Sequence, residues 1–111
     1  MSAPLPDMDT AALDALRELM QDDFPLLLET FLADAQLRVS QLGAALHSAD
    51  LEAFRQAAHS FKGSCGNMGA LALEQACLAA ERAALNNDLA AAKTSFSDIV
   101  VCAERLQAQL S

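Results

Sequence analysis

The chain is poor in aromatic residues, in helix breakers and in cations. Its 111 residues include no Trp or Tyr, five Phe, four Gly and three Pro. Ala and Leu dominate instead, and both have high helix propensity, which favours helices over strands. The length and the 53% hydrophobic content predict one hydrophobic core and one domain. We therefore expect a single all-α domain.

The scarcity of positive charge limits the possible partners. Seven Lys and Arg residues stand against 15 Asp and Glu, for a net charge of −8. Nucleic acids and anionic membranes are polyanions and would be repelled overall, so we expect neither as a partner. No apolar run approaches the roughly 20 residues that span a bilayer, and the N-terminus lacks the pattern of a signal peptide. These features predict a cytoplasmic protein.

Cysteine is also scarce, and its count is odd. Cys65, Cys77 and Cys102 lie on or beside apolar stripes of the predicted helices. This placement favours buried free thiols over a disulfide framework, which fits a reducing compartment.

Apolar spacing predicts five helices joined by short loops. Residues 1–8 read as a loose arm, and residues 9–111 as one domain. The first helix, capped by Asp9 or Thr10, runs to about residue 20, and the second, with Pro25 in its first turn, to about residue 47. The others span about 51–68, 70–85 and 89–110. Asp50 caps the third, and Gly69 or Asn67 ends it. The segment Asn86-Asn87-Asp88 turns the chain and caps the fifth. Short loops imply antiparallel neighbours, so we expect an antiparallel up-and-down four-helix bundle with a short additional N-terminal helix.

Two of these helices allow more than one interpretation. The second has a core stripe of Phe24, Leu28, Phe31, Ala35, Leu42 and Leu46, and further apolar residues at Leu27, Leu32, Leu37 and Val39. Packing between two neighbours explains the excess, and so does an exposed docking patch beside the third helix; both can hold. The fifth has a heptad-like stripe of Leu89, Ala92, Phe96, Ile99, Ala103, Leu106 and Leu110. We expect a monomer, with self-association through this stripe as the alternative.

The third helix carries a histidine outside its apolar stripe. That stripe consists of Leu51, Phe54, Ala58, Phe61, Cys65 and Met68, with alternating spacings of three and four. At about 100° per residue, Arg55, Lys62, Gly63 and Gly66 lie within about 60° of His59. Each glycine costs about 1 kcal/mol relative to Ala in a helix, which suggests that clearance beside the histidine matters. The face would suit an anion, although helix packing could also explain the glycines.

Ala58, His59, Lys62, Gly63 and Gly69 resemble the signature of histidine-containing phosphotransfer (Hpt) domains. The resemblance extends to Gly69-Ala70, Leu73, Cys77 and Glu81, and upstream to residues 31–34 and 49–52. Ala76 and Ala80 depart from the pattern, because leucine is commoner at both positions. The resemblance covers nearly all of the chain and implies the same four-helix bundle.

The resemblance implies that His59 accepts a phosphoryl group. Lys62, about one turn away, can neutralise part of the charge on that group, and Arg55, one turn away on the other side, is a weaker candidate for the same anion. Gly63 and Gly66 would leave room for the partner, and Arg55 could instead pair with Glu52. The partners implied are response-regulator receiver domains, including the receiver of a hybrid sensor kinase, and these would supply the aspartyl phosphate and Mg²⁺. We expect no cofactor or metal on this chain and, since it has no Gly-rich nucleotide loop, no kinase activity of its own.

Two other acid–base residues are interpreted as structural. Glu81 matches the family pattern but has no evident acid–base partner in the sequence, and His47 falls at a helix end, where it can interact with the last carbonyls.

Two other classes of function compete with this interpretation. A metal-binding or catalytic bundle is disfavoured, because the sequence contains no Glu-x-x-His and no Cys-x-x-Cys. A helical adaptor that docks a receiver or another signalling protein without accepting phosphate remains the alternative.

Overall fold

Five α-helices and one 3₁₀ turn build the domain in residues 5–110, which are the residues described by this computed structural model. The helices are α1 (Thr10–Met20), α2 (Phe24–His47), α3 (Leu51–Met68), α4 (Leu71–Leu85) and α5 (Leu89–Leu110), with the 3₁₀ turn Gln21–Asp23 between α1 and α2. Helices α2 to α5 form the predicted four-helix bundle, and α1 is the predicted short additional helix.

Aspartates begin three of the helices, as their positions in the sequence predicted. Oδ1 of Asp9, Asp50 and Asp88 each accepts a hydrogen bond from a backbone N–H three residues further on, at 3.0–3.1 Å. Each bond satisfies one of the donors that a helix N-terminus leaves unpaired. Pro25 lies in the first turn of α2, where its missing N–H costs nothing.

The core lies on one stripe of each bundle helix, with α3 packed most extensively against α4. The predicted stripe of α3 is confirmed for Phe54, Ala58, Phe61, Cys65 and Met68, which are all buried, and Leu51 at its start is partly buried against the same core. All three cysteines are buried and free. None of the helices within residues 5–110 is long and apolar enough to cross a membrane.

The core stripe of α2 differs in detail from the prediction. Leu32 and Ala45 are buried, whereas Leu28 and Leu46 are only partly buried. Leu27 and Val39 also pack on the core, but Leu37 is 55% exposed. Packing against neighbouring helices therefore accounts for most of the apolar excess, and part of it remains on the surface.

The predicted stripe of α5 is only partly correct. Ala92, Ile99 and Leu106 are buried as expected, but the other buried residues are Ser95 and Cys102. The buried side is rotated because α5 packs more extensively on α4 than on α2. The looser α2–α5 seam contains an apolar cavity of about 190 Å³.

The prediction of a loose arm over residues 1–8 is wrong for Asp7 and Met8. Residues 1–4 lie outside the described residues. Asp7 accepts hydrogen bonds from Arg105 at 2.9 Å and from Gln109 at 2.8 Å, and Met8 is buried in the core. The guanidinium of Arg105 lowers the pKa of Asp7 below its usual value. Asp7 and Met8 therefore belong to the packed domain.

Gly69 ends α3 in the left-handed conformation, with φ of 73°. Its N–H donates to the carbonyl of Gly66, and the N–H of Ala70 donates to the carbonyl of Cys65, the pair of bonds of a Schellman motif. The carbonyl of Gly69 accepts from the N–H of Asp9 at 2.7 Å. Of the two predicted terminators, Gly69 is therefore the correct one.

We expect Gly69→Ala to lower the free energy of unfolding by about 1–2 kcal/mol, because a side chain disfavours the left-handed conformation. The added Cβ would also lie 3.2 Å from the Cβ atoms of Asp9 and Ala12. Urea unfolding measures the change. Gly63→Ala is the control: nothing lies within 4 Å of its added Cβ, so it should be at least as stable as the wild type. Equal stability of Gly69→Ala and wild type would contradict this account.

Candidate functional site

His59 projects from the middle of α3 on the side away from the core. The preceding residue, Ala58, is fully buried, whereas the His59 side chain is 64% exposed. The imidazole is therefore anchored to a rigid helix and is accessible to a second protein.

A single carboxylate from α4 holds both His59 and Lys62. Glu81 Oε2 lies 2.6 Å from His59 Nδ1, and Glu81 Oε1 lies 2.6 Å from Lys62 Nζ. The Glu81 side chain is only 11% exposed, and that of Lys62 is 27% exposed. The three side chains thus form one continuous network at the edge of the α3–α4 seam.

This network determines which ring nitrogen of His59 is available for chemistry. The hydrogen bond from Lys62 lowers the pKa of Glu81, and the contact with His59 lowers it further against the opposing effect of burial. The group is therefore a carboxylate at neutral pH, and a carboxylate can only accept hydrogen bonds. His59 Nδ1 must then carry the proton that it shares with Glu81. In the neutral ring the lone pair lies on Nε2, the nitrogen that Glu81 does not contact.

The interpretation of Glu81 as a structural residue without an acid–base partner was wrong. Glu81 is buried on the same side of α4 as Cys77 and Ala84, and it contacts both predicted site residues. Glu81 follows Cys77 by four residues, so the sequence places a carboxylate in the apolar stripe of α4. That placement could have revealed that Glu81 has a partner on a neighbouring helix. A buried carboxylate requires a partner, and the facing helix α3 offers Lys62.

Arg55 forms an ion pair with Glu52, the alternative partner predicted for it. Its Nη2 donates to Glu52 Oε1 at 2.7 Å and its Nε to Glu52 Oε2 at 3.1 Å. The guanidinium holds the pKa of Glu52 at about 2. Both cations of the face, Arg55 and Lys62, are thus paired with carboxylates, so the expected surplus of positive charge around His59 is absent. A role for Arg55 toward a phosphoryl group stays a prediction.

The two glycines of the face have different surroundings. A Cβ at Gly63 would have open space around it, which is compatible with clearance for a partner. A Cβ at Gly66 would lie 2.7 Å from Glu74 Oε2. The end of an α4 side chain therefore lies close to Gly66, and the role of Gly66 in leaving room for a partner stays a prediction.

The lowered pKa of Glu81 gives its contribution to stability a definite pH dependence. A group whose pKa is lowered on folding stabilises the fold above its unfolded-state pKa, and the contribution is lost as the pH falls through the folded-state pKa. The unfolded value is close to 4.5. We expect Glu81→Gln to be less stable than wild type by about 1 kcal/mol at pH 7, with the difference shrinking below pH 4.5. Urea unfolding across this range measures it, and a pH-independent difference would contradict the ionised network.

Comparisons with known proteins agree with this arrangement. The family model of the Hpt domain matches residues 26–110. The crystal structure of histidine-containing phosphotransfer protein B (HptB) from Pseudomonas aeruginosa PAO1 superposes with a TM-score of 0.92 at 35% identity. The match covers 95% of this chain and 91% of HptB.

A more distant structure supports the fold alone. The putative histidine-containing phosphotransfer protein from rice has a TM-score of 0.85 at 14% identity, covering 94% of this chain and 76% of the rice protein. A search of curated protein sequences finds no match. The Hpt family model nevertheless spans most of the chain. The four-helix fold of the chain and the exposed histidine on α3 agree with the match to this family model. The chain therefore belongs to the histidine-containing phosphotransfer (Hpt) domain family.

Proposed function

We propose that the chain is a phosphorelay intermediate that accepts a phosphoryl group on His59 Nε2 and passes it on. The donor is a receiver domain carrying an aspartyl phosphate, and the acceptor is the aspartate of another receiver. The observation that carries this proposal is the contact of 2.6 Å between His59 Nδ1 and Glu81, which leaves Nε2 as the nucleophile on a 64% exposed side chain.

The transfer step needs a neutral imidazole and a place for the charge that develops on it. The Nε2 lone pair attacks the phosphorus, a P–N bond forms, and the P–O bond to the aspartate breaks as its carboxylate leaves. The ring keeps its Nδ1 proton and becomes cationic, and the carboxylate of Glu81 lies beside that charge. The return step reverses this sequence on the next receiver, and we expect Mg²⁺ to be held by the receiver domains.

Lys62 is placed to stabilise the negative charge of the phosphoryl group. Its ammonium is held by Glu81 within one helical turn of His59 and is 27% exposed. An arriving phosphoryl group carries more negative charge than Glu81 and would compete for this ammonium and for the guanidinium of Arg55. The chain in this proposal carries the phosphoryl group and does not generate it from a nucleotide.

His59→Gln should abolish phosphorylation, because the amide has no nucleophilic nitrogen lone pair, while leaving the helical content unchanged. The test mixes the purified chain with a panel of receiver domains phosphorylated by acetyl phosphate and Mg²⁺, followed by intact-mass analysis before and after acid treatment. Wild type should gain one acid-labile phosphoryl group.

Two outcomes would contradict the proposal. Unchanged phosphorylation of His59→Gln would move the acceptor elsewhere. Complex formation with receivers but no transfer to wild type would favour the non-phosphorylated adaptor instead.

Gly63→Ala should separate stability from function. The added methyl group meets open space within the chain and removes a helix glycine, so we expect the free energy of unfolding to rise by about 0.5–1 kcal/mol. The same methyl group would occupy the approach to His59, and we expect slower transfer from the receiver. Urea unfolding and the transfer rate are measured on the same preparation. Transfer as fast as wild type would refute the clearance role of Gly63.

A further inference from the structure

A groove of about 330 Å³ lies between α2 and α3, and Gln56, which precedes His59 by about one helical turn, lines it. Arg38 and Gln41 line it from α2, and Ala53, Gln56 and Ala57 line it from α3. The two alanines keep it open, and the three long polar side chains give it hydrogen-bonding capacity. It is separate from the Glu81 network, which α4 supplies.

The groove falls within the area that a protein bound at His59 would cover. Gln56 precedes His59 by three residues, so the two side chains are neighbours on the surface of α3, roughly one turn apart. A specific interface covers about 800 Å² on each partner, far more than the histidine alone. A receiver domain docked for transfer would therefore meet the groove.

Arg38 has donor capacity that the chain itself does not use. Its Nε is buried and has no hydrogen-bond acceptor among residues 5–110. Asp34 Oδ1 lies 3.6 Å from Nε and forms an ion pair with it, at a distance too long for a hydrogen bond, and the bond from Arg38 Nη1 to Gln41 Oε1 is long, at 3.4 Å. Nε itself is buried, so a ligand can reach only the outer part of the guanidinium, on a side chain that is 27% exposed and lines the groove.

We propose that this groove binds an aspartate or glutamate side chain of the receiver domain that docks over His59, with Arg38 as a specificity-determining residue. The proposal rests on the proposed phosphotransfer function. A guanidinium can bind a carboxylate through two parallel hydrogen bonds, and the Gln41 amide can donate to the same group, whereas the Gln56 amide already donates to Glu52 Oε1 at 3.1 Å.

The charge of the chain explains why an acidic group here would discriminate between receivers. With a net charge of −8, most of the surface repels an acidic partner. Asp34 pairs with Nε of Arg38, and the outer nitrogens of the guanidinium still attract a carboxylate and repel a lysine or arginine at the same place. Receivers that present an acid at this position would therefore be selected over those that present a base.

The test uses the receiver of the panel that phosphorylates the wild-type chain fastest. Transfer is measured against receiver concentration for wild type, Arg38→Ala, Arg38→Lys and the control Arg17→Ala. Arg17 is an exposed arginine of α1 paired with Asp14, so its removal changes the net charge equally. We expect Arg38→Ala to raise the half-saturating receiver concentration about tenfold with the saturating rate unchanged, and Arg17→Ala to match wild type. Arg38→Lys keeps the charge and should fall between.

The salt dependence of the half-saturating concentration distinguishes an electrostatic contact of Arg38 from a structural role, which would not depend on salt in this way. Added salt screens the attraction, so the ratio between Arg38→Ala and wild type should shrink as salt rises. Circular dichroism of each variant checks folding, and Arg38→Lys keeps the test informative if Arg38→Ala unfolds.

Several results would overturn the inference. Equal half-saturating receiver concentrations for Arg38→Ala and Arg17→Ala would refute the acidic contact. A lower saturating rate of Arg38→Ala with an unchanged half-saturating concentration would refute it too. In both cases transfer to His59 would still support the proposed function. Failure of every receiver to phosphorylate wild type would refute the proposed function and this inference together.

Discussion

The hydrogen-bonded carboxylate of Glu81 is the interaction on which the chemistry of the site depends. It contacts His59 Nδ1 and Lys62 Nζ, each at 2.6 Å, from a side chain that is almost buried. Lys62 keeps the carboxylate ionised, the carboxylate fixes the proton on Nδ1, and the proton on Nδ1 leaves the lone pair on Nε2. Each step follows from the one before, so loss of the carboxylate would leave the histidine in place without a defined nucleophilic nitrogen.

The packing of α4 against α3 places Glu81 beside His59 and Lys62. These two helices share the most extensive packing of the bundle, with Phe61 and Cys65 of α3 and Leu73 and Cys77 of α4 fully buried. Gly69 turns the chain between them in a left-handed conformation that allows α4 to begin at Leu71. The register that this turn sets brings position 81 opposite positions 59 and 62. The histidine thus lies on a rigid surface while its orientation is controlled from the neighbouring helix.

The features predicted correctly from the sequence are those that local physics determines. The aspartate caps, the end of α3 at Gly69 and the placement of His59 outside the apolar stripe all follow from helix periodicity and capping chemistry. The features that were missed depend on contacts between helices. The partnership of Glu81 with His59, the approach of Glu74 to Gly66 and the rotation of α5 toward α4 require the packing of two elements, which spacing within one helix does not contain.

The tautomer of His59 in the unphosphorylated chain is the measurement that tests this account most directly. Long-range ¹H–¹⁵N NMR correlations of the neutral imidazole distinguish the protonated ring nitrogen from the unprotonated one. The account predicts the proton on Nδ1 and an unprotonated Nε2 in wild type, with this preference lost in Glu81→Gln. A wild-type ring protonated on Nε2 would contradict the central claim, because Glu81 would then not be what makes Nε2 the nucleophile.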